Sequence, residues 1–234
     1  MNGRETQLSL NFPYEPIFQF DDLVVTDSNR MAFQLIDHWP NWSVPIAVLV
    51  GKEGSGKTHF SSIWQQKANA FRIQCNKIDQ AVAMASLGRS FLIEDIDAEE
   101  INETELFHLI NSVKQANVDT RQATLLMTAR TLPSAWKLKL NDLKSRLNSV
   151  MFVEINQPDD ALLTAVAFKL FSDRQLIVHP DTVYYLISRC ERSLFSLKHV
   201  IDSVDQLALQ RKRKITRAVI AEVLNRKKYK CSLS

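Results

Sequence analysis

The spacing of apolar positions divides the chain into three stretches. Residues 1–20 alternate Leu8, Leu10 and Phe12 and then carry Pro13 and Pro16, which suits an extended segment and disfavours a helix. From residue 27 the spacing becomes mixed. Met31, Leu35, Ile36 and Trp39 form a helical stripe over 27–40, opening at Asp27-Ser28-Asn29, a sequence suited to a helix cap. Ile46–Val50 is a short, β-branched run without polar interruption, as a strand buried on both faces requires. Phe71–Gln74, Phe91–Ile93, Ala123–Thr128 and Val150–Ile155 are further strand candidates. Between them, Asn102 and Glu105 resemble a capping pair ahead of Leu106, Leu109, Ile110 and Val113, which fall on one helical face.

After Asn156-Gln157-Pro158 the pattern is helical alone. Pro158–Phe171 turns Leu163, Val166 and Leu170 inward, and a second helix starts near Pro180 with Val183, Leu186 and Ile187. A third steps through Leu194, Leu197, Ile201, Val204 and Ala208, and a fourth opens at Thr216 with Val219, Ile220, Val223 and Leu224. Strands separated by helices predict an α/β fold, a parallel sheet flanked by helices on both faces. The expected division is an N-terminal segment over 1–15, an α/β nucleotide-binding domain over 16–156 and a small all-helical domain over 157–234.

One segment carries specific chemistry. Gly51-Lys52-Glu53-Gly54-Ser55-Gly56-Lys57-Thr58 is a complete P-loop, placed after a predicted strand and before a helix. Gly51, Gly54 and Gly56, with Ser55 between them, allow backbone N–H groups to turn toward phosphate oxygens. Lys57 would reach the β- and γ-phosphates of ATP, or the β-phosphate of ADP, and Thr58 would offer its hydroxyl to Mg²⁺. A second carboxylate is needed at the end of a neighbouring strand. Phe91–Ile93 ends in Glu94-Asp95, where many nucleotidases of this class end in Asp then Glu. Glu94 therefore stands in the metal position and Asp95 in the position of the water-activating carboxylate. A misplacement of ~1 Å can cost ~100-fold in rate, so tight nucleotide binding and weak hydrolysis by the chain alone are expected.

Composition narrows the class. At 234 residues, 45% hydrophobic and 24% charged, the chain is an ordinary globular protein. Val44–Val50, its longest apolar run, is broken by Pro45 and is too short to span a bilayer. The first residues lack the apolar stretch of a secretory signal, and Cys75, Cys190 and Cys231 have no metal-ligand spacing, so a reducing cytoplasmic setting is expected. Net charge is +3, yet nine basic residues and one acid lie from Arg211 onward. A basic tail invites a nucleic-acid contact, but a last helix with a solvated face is the favoured reading. Against a grip on single-stranded DNA, the stretch from Asp95 to Glu105 is acidic and contains no base. The five histidines show no ligand spacing, and the four tryptophans are read as packing groups.

The P-loop, the acidic second motif, Leu143-Lys144-Ser145-Arg146-Leu147 and a helical end together resemble an AAA+ ATPase with its lid. Phe18-Gln19-Phe20-Asp21-Asp22-Leu23-Val24-Val25 followed by Ser28-Asn29 is similar to the stretch leading into the nucleotide domain of the initiator DnaA. No DnaA-like DNA-binding domain is expected in the residues after Leu224, and Gln7-Leu8-Ser9-Leu10-Asn11-Phe12 looks like a sliding-clamp-binding motif. With Arg192-Ser193-Leu194-Phe195-Ser196-Leu197 this combination resembles the Hda family, regulators that switch off the initiator. The resemblance implies ADP or ATP with Mg²⁺ as ligands, and a sliding clamp and a DnaA-type initiator as partners. DNA would be reached through the clamp, and a homo-oligomer is compatible with the class. It implies a clamp contact at Gln7, Leu8, Leu10 and Phe12, a nucleotide contact at Val24 and Val25, and an arginine finger acting in trans at Arg146. Two departures stand out. Ala129-Arg130-Thr131 replaces the acidic sensor of DnaA, and the γ-phosphate-sensing lid arginine aligns with Phe195 or is displaced to Arg192. Both favour a diphosphate-holding regulator over the alternative, an autonomous loader or remodeller.

Overall fold

A computed structural model of the chain describes residues 23–98, 101–119, 122–211 and 213–231, with side chains as far as residue 225. The expected clamp motif at Gln7–Phe12 lies outside the described residues. Five strands, β1 (Ile46–Val50), β2 (Phe71–Ile73), β3 (Phe91–Ile93), β4 (Leu125–Ala129) and β5 (Met151–Glu154), form a parallel sheet in the order β2-β3-β4-β1-β5. β1, between β4 and β5, pairs Val48 with Met127 on one side and with Phe152 on the other. All five of its residues are buried, which is why its sequence shows no polar alternation.

Side chains alternate across the sheet and sort into two cores. Ile46, Val48, Phe91, Ile93, Leu125 and Met127 meet α3 (Ile78–Ala85), α4 (Glu103–Val118) and α5 (Asn141–Leu147) on one face. Ala47, Leu49, Leu92 and Leu126 meet α1 (Arg30–His38) and α2 (Lys57–Ala68) on the other. Trp64 of α2 is fully buried in the second core and stacks on Trp42 at 5.6 Å between ring centroids. Asn102 caps α4 by accepting from Glu105 N, as its spacing predicts.

A third core joins α6 (Asp160–Asp173), α7 (Pro180–Ile187), α8 (Leu194–Arg211) and α9 (Arg217–Cys231). The link between β5 and α6 contains the expected division at residue 156. Asn156 N donates to Ser28 O at 3.0 Å, and Asp159 caps α6 at Leu162 N at 2.7 Å. Burial disfavours ionisation of Asp159, but hydrogen bonds from Leu162 N, Thr26 and Ser28 outweigh it and hold the carboxyl below its ordinary range. The segment before α1 is thereby fastened to the start of the lid. Among the described residues no helix is long and apolar enough to cross a membrane.

Replacing Trp64 by Ala leaves a large void beneath the sheet, since α1, α2 and β1 are fixed by other contacts. The unfolding free energy should fall by about 3–5 kcal/mol in urea titration. A loss below about 1 kcal/mol would show that this core is not closed by Trp64.

Candidate nucleotide site

The P-loop leaves the end of β1 beside the end of β4, where Gly51 N donates to Ala129 O at 3.0 Å. Gly54 has φ +73° and Gly56 has φ +106°, backbone conformations that glycine adopts without a Cβ penalty. Gly56 caps α2, whose first amides have no intrahelical acceptors and point to where an anion would sit. Ser55 Oγ is buried and has no hydrogen-bond partner among the described residues. The glycine cradle, the open helix end and this orphan hydroxyl fit a phosphate ligand.

The lid closes directly on this loop. Leu194 N, opening α8, donates to Gly54 O at 2.9 Å. A Cβ on Gly54 would lie 2.0 Å from Ser193 Oγ, and one on Gly56 would lie 3.3 Å from Leu194 Cδ1. The second and third glycines of the motif therefore serve two surfaces, the phosphate cradle and the lid.

Lys57 is buried, and its Nζ donates to Gly51 O at 2.7 Å and Lys52 O at 3.1 Å. Burial lowers its pKa; Asp95 opposes this and Arg130 reinforces it, leaving a net lowering. Asp95 thus lies close enough for its charge to be felt at Lys57. Its backbone is left-handed, with φ +46°, and its N–H donates to Thr128 Oγ1 at 2.8 Å. Glu94, expected as the metal carboxylate, has both oxygens engaged: Oε1 accepts from Ser61 Oγ at 2.8 Å and Oε2 pairs with the Arg72 guanidinium. In this arrangement Glu94 presents no uncommitted oxygen to a metal. Thr58, on the first turn of α2, is exposed.

Other expected contacts divide. Val24 is half-buried and Val25 exposed, on the segment fastened to the lid. Asn29, which precedes α1, ties that segment together: it accepts from Thr26 N at 2.9 Å and donates to Val24 O at 2.9 Å. Arg192 is paired with Asp160 of α6 at 3.0 Å, and Phe195 is exposed, with its ring edge-on to His199.

Sequence reading missed three participants. Asp97 accepts from Arg130 N, Thr131 N and Thr131 Oγ1 at 2.8–2.9 Å, anchoring the loop after β4. Burial raises its pKa, but these hydrogen bonds outweigh that and leave it lowered. Arg130, read from sequence as the loss of a sensor, places its guanidinium 3.8 Å from Glu53 of the P-loop. Arg72 is the third. Its partner Glu94 is distant in sequence, so no local pattern announces the pair.

Arg146 is exposed on α5, lining a shallow pocket with Phe107, Asp142, Ser145 and Ser149. It precedes the start of β5, whereas the P-loop follows the end of β1, and the two strands run parallel. The P-loop and the turn that leads from α5 into β5 are therefore at opposite ends of the strands, which are about 15 Å long at ~3.3 Å per residue.

A parallel sheet, a P-loop at its carboxyl edge and a four-helix lid define an AAA+ protein. Residues 163–224 of its lid match the family described as Hda, lid domain. The Hda resemblance read from the sequence is borne out there. The chain superposes on domain III of the Thermotoga maritima replication initiation protein DnaA with a TM-score of 0.73 at 17% identity, covering 92% of this chain and 98% of that one. AMPPCP-bound DnaA from Aquifex aeolicus gives 0.70 at 17% identity, over 92% of this chain and 69% of that one. An uncharacterized protein of Haemophilus influenzae is 26% identical over 230 residues, 90% of this chain and 96% of that protein.

Substituting Gly54 by Ala should displace the lid, because the new Cβ meets Ser193 and the residue must hold a left-handed backbone. Thermal unfolding should shift down, and Ser193→Gly in the same chain should recover part of the shift. The hydroxyl's own cap to Ser196 N, at 3.2 Å, is worth only a few tenths of a kcal/mol against Gly. No recovery would place the whole cost of Gly54→Ala in the backbone and remove the lid contact from its cause.

Proposed function

We propose that the chain is an Hda-type regulator of replication initiation. It holds ADP between the P-loop and the lid, is tethered to the DNA sliding clamp through Gln7, Leu8, Leu10 and Phe12, and promotes ATP hydrolysis by a DnaA-type initiator through Arg146. DNA is reached through the clamp.

The observation that carries this reading is the position of Arg146. On the sheet edge opposite the P-loop, its guanidinium is out of reach of the chain's own nucleotide and accessible to a nucleotide held by another subunit. A planar guanidinium with five fixed donors can bridge the oxygens on which negative charge gathers as the γ-phosphoryl group departs. Lys114 of α4 is held below its ordinary pKa by burial and then by the nearby Arg146 charge, so two basic side chains stand together where an incoming nucleotide would be negative. Weak hydrolysis by the chain itself is supported by the engagement of Glu94 with Arg72 and Ser61. The Hda-type lid and the DnaA-like fold support the choice of partner.

The test is single-turnover hydrolysis by an ATP-bound DnaA-type initiator, with clamp loaded on DNA. Arg146→Ala should leave the fold, ADP binding and clamp binding intact and abolish stimulation. Arginine fingers supplied in trans contribute ~10³–10⁵ in rate where they act. Arg146→Lys should recover little, because an ammonium cannot form the two-pronged contact. Equal rates for parent and Arg146→Ala would exclude this role.

A further inference from the structure

The nucleotide reading expects a divalent metal at the acidic end of β3, and the geometry there does not suit one. Glu94 follows β3, and its side chain is 10% exposed. A carboxylate so withdrawn from water needs a counter-charge and hydrogen-bond donors. Both are supplied from within the chain. Ser61 lies one turn after Thr58 on α2, so the two hydroxyls share a helix face. Ser61 Oγ donates to Glu94 Oε1 at 2.8 Å. The guanidinium of Arg72, from the middle of the adjacent strand β2, pairs with Oε2.

Magnesium requires oxygen ligands at about 2.0–2.1 Å in near-octahedral array and retains most of its waters, commonly taking one or two carboxylates with the substrate phosphates. To enter here through Glu94 it would have to displace Arg72 or sit beside it, cation against cation. The Arg72 side chain is 57% exposed, yet its guanidinium meets Glu94 on the withdrawn side, where the carboxylate is 10% exposed.

We infer that Arg72 replaces the metal ion as counter-charge of Glu94, so that this chain binds a nucleoside diphosphate independently of magnesium. The inference rests on the P-loop being a nucleotide site. Its consequence is a regulator whose bound state does not follow the free magnesium level. The carboxylate expected to hold the metal is thereby withdrawn from hydrolysis, as suits a chain that holds ADP without cycling.

The experiment is calorimetric titration of the full-length chain with ADP, in magnesium and again in EDTA. For the parent the two affinities should agree within about threefold, and Arg72→Gln, which frees Glu94, should bind ADP about tenfold or more tightly in magnesium than in EDTA, the scale on which groups around a metal ligand act. Arg72→Gln/Glu94→Gln should lose that dependence again. A parent that loses ADP affinity tenfold or more in EDTA overturns the inference, as does an Arg72→Gln variant indifferent to the metal. A parent that binds no ADP in either buffer overturns the nucleotide reading beneath it.

Discussion

The contact between the start of α8 and the P-loop is the constraint on which the rest of the architecture depends. Gly54 gives up a side chain so that Ser193 can approach, and its carbonyl accepts from Leu194 N–H. One turn of backbone is thus shared by the phosphate cradle and the lid. Anything that moves the loop moves α8, and α8 carries the third core of the molecule through Leu197, Val200, Ile201 and Val204. At the other end of the lid, Asp159 and Asn156 hold the segment around Ser28. The lid is fixed at both ends, at the phosphate loop and at the segment leading into α1.

Around this contact, charges at the carboxyl edge of the sheet are matched pairwise. Lys57 lies among Asp95, Asp97, Glu53 and Arg130, while Asp97 holds the Arg130 loop by its backbone. Glu94 is closed off by Ser61 and Arg72. Of these groups Glu94 is the one largely withdrawn from water, at 10% exposed, where an unpaired charge is costly; the Arg130–Glu53 pair lies on the surface. The opposite edge of the sheet carries Arg146 on an exposed helix. Parallel strands impose this separation: the loop that follows β1 and the helix that precedes β5 lie toward opposite ends of the strands.

Much of this was legible in the sequence where the signal is local. The uninterrupted Ile46–Val50 run, the P-loop octapeptide and the Asn102 cap each correspond to what the structure contains. Helix α3 was not, because its buried positions are Ile78, Ala81 and Ala85, and alanine contributes little to an apolar periodicity. Nor was α5, a seven-residue helix with two inward leucines, Leu143 and Leu147, beneath a polar exterior. The roles of Arg72, Asp97 and Ser193 depend on partners far away in sequence, which no window of residues reveals. Arg130 was legible as a departure from the family, but its place beside Glu53 follows from the register of β4 against β1.

P-loop and lid are proposed to form together a nucleotide site in which Lys57 carries the phosphate contact. A ligand that binds the folded chain alone raises its stability with the logarithm of ligand concentration. The most direct measurement is the thermal unfolding midpoint across a series of ADP concentrations, for the parent and for Lys57→Ala. The account predicts a midpoint that climbs steadily with ADP in the parent and stays flat in Lys57→Ala. A flat parent, or a Lys57→Ala chain that climbs equally, would contradict it.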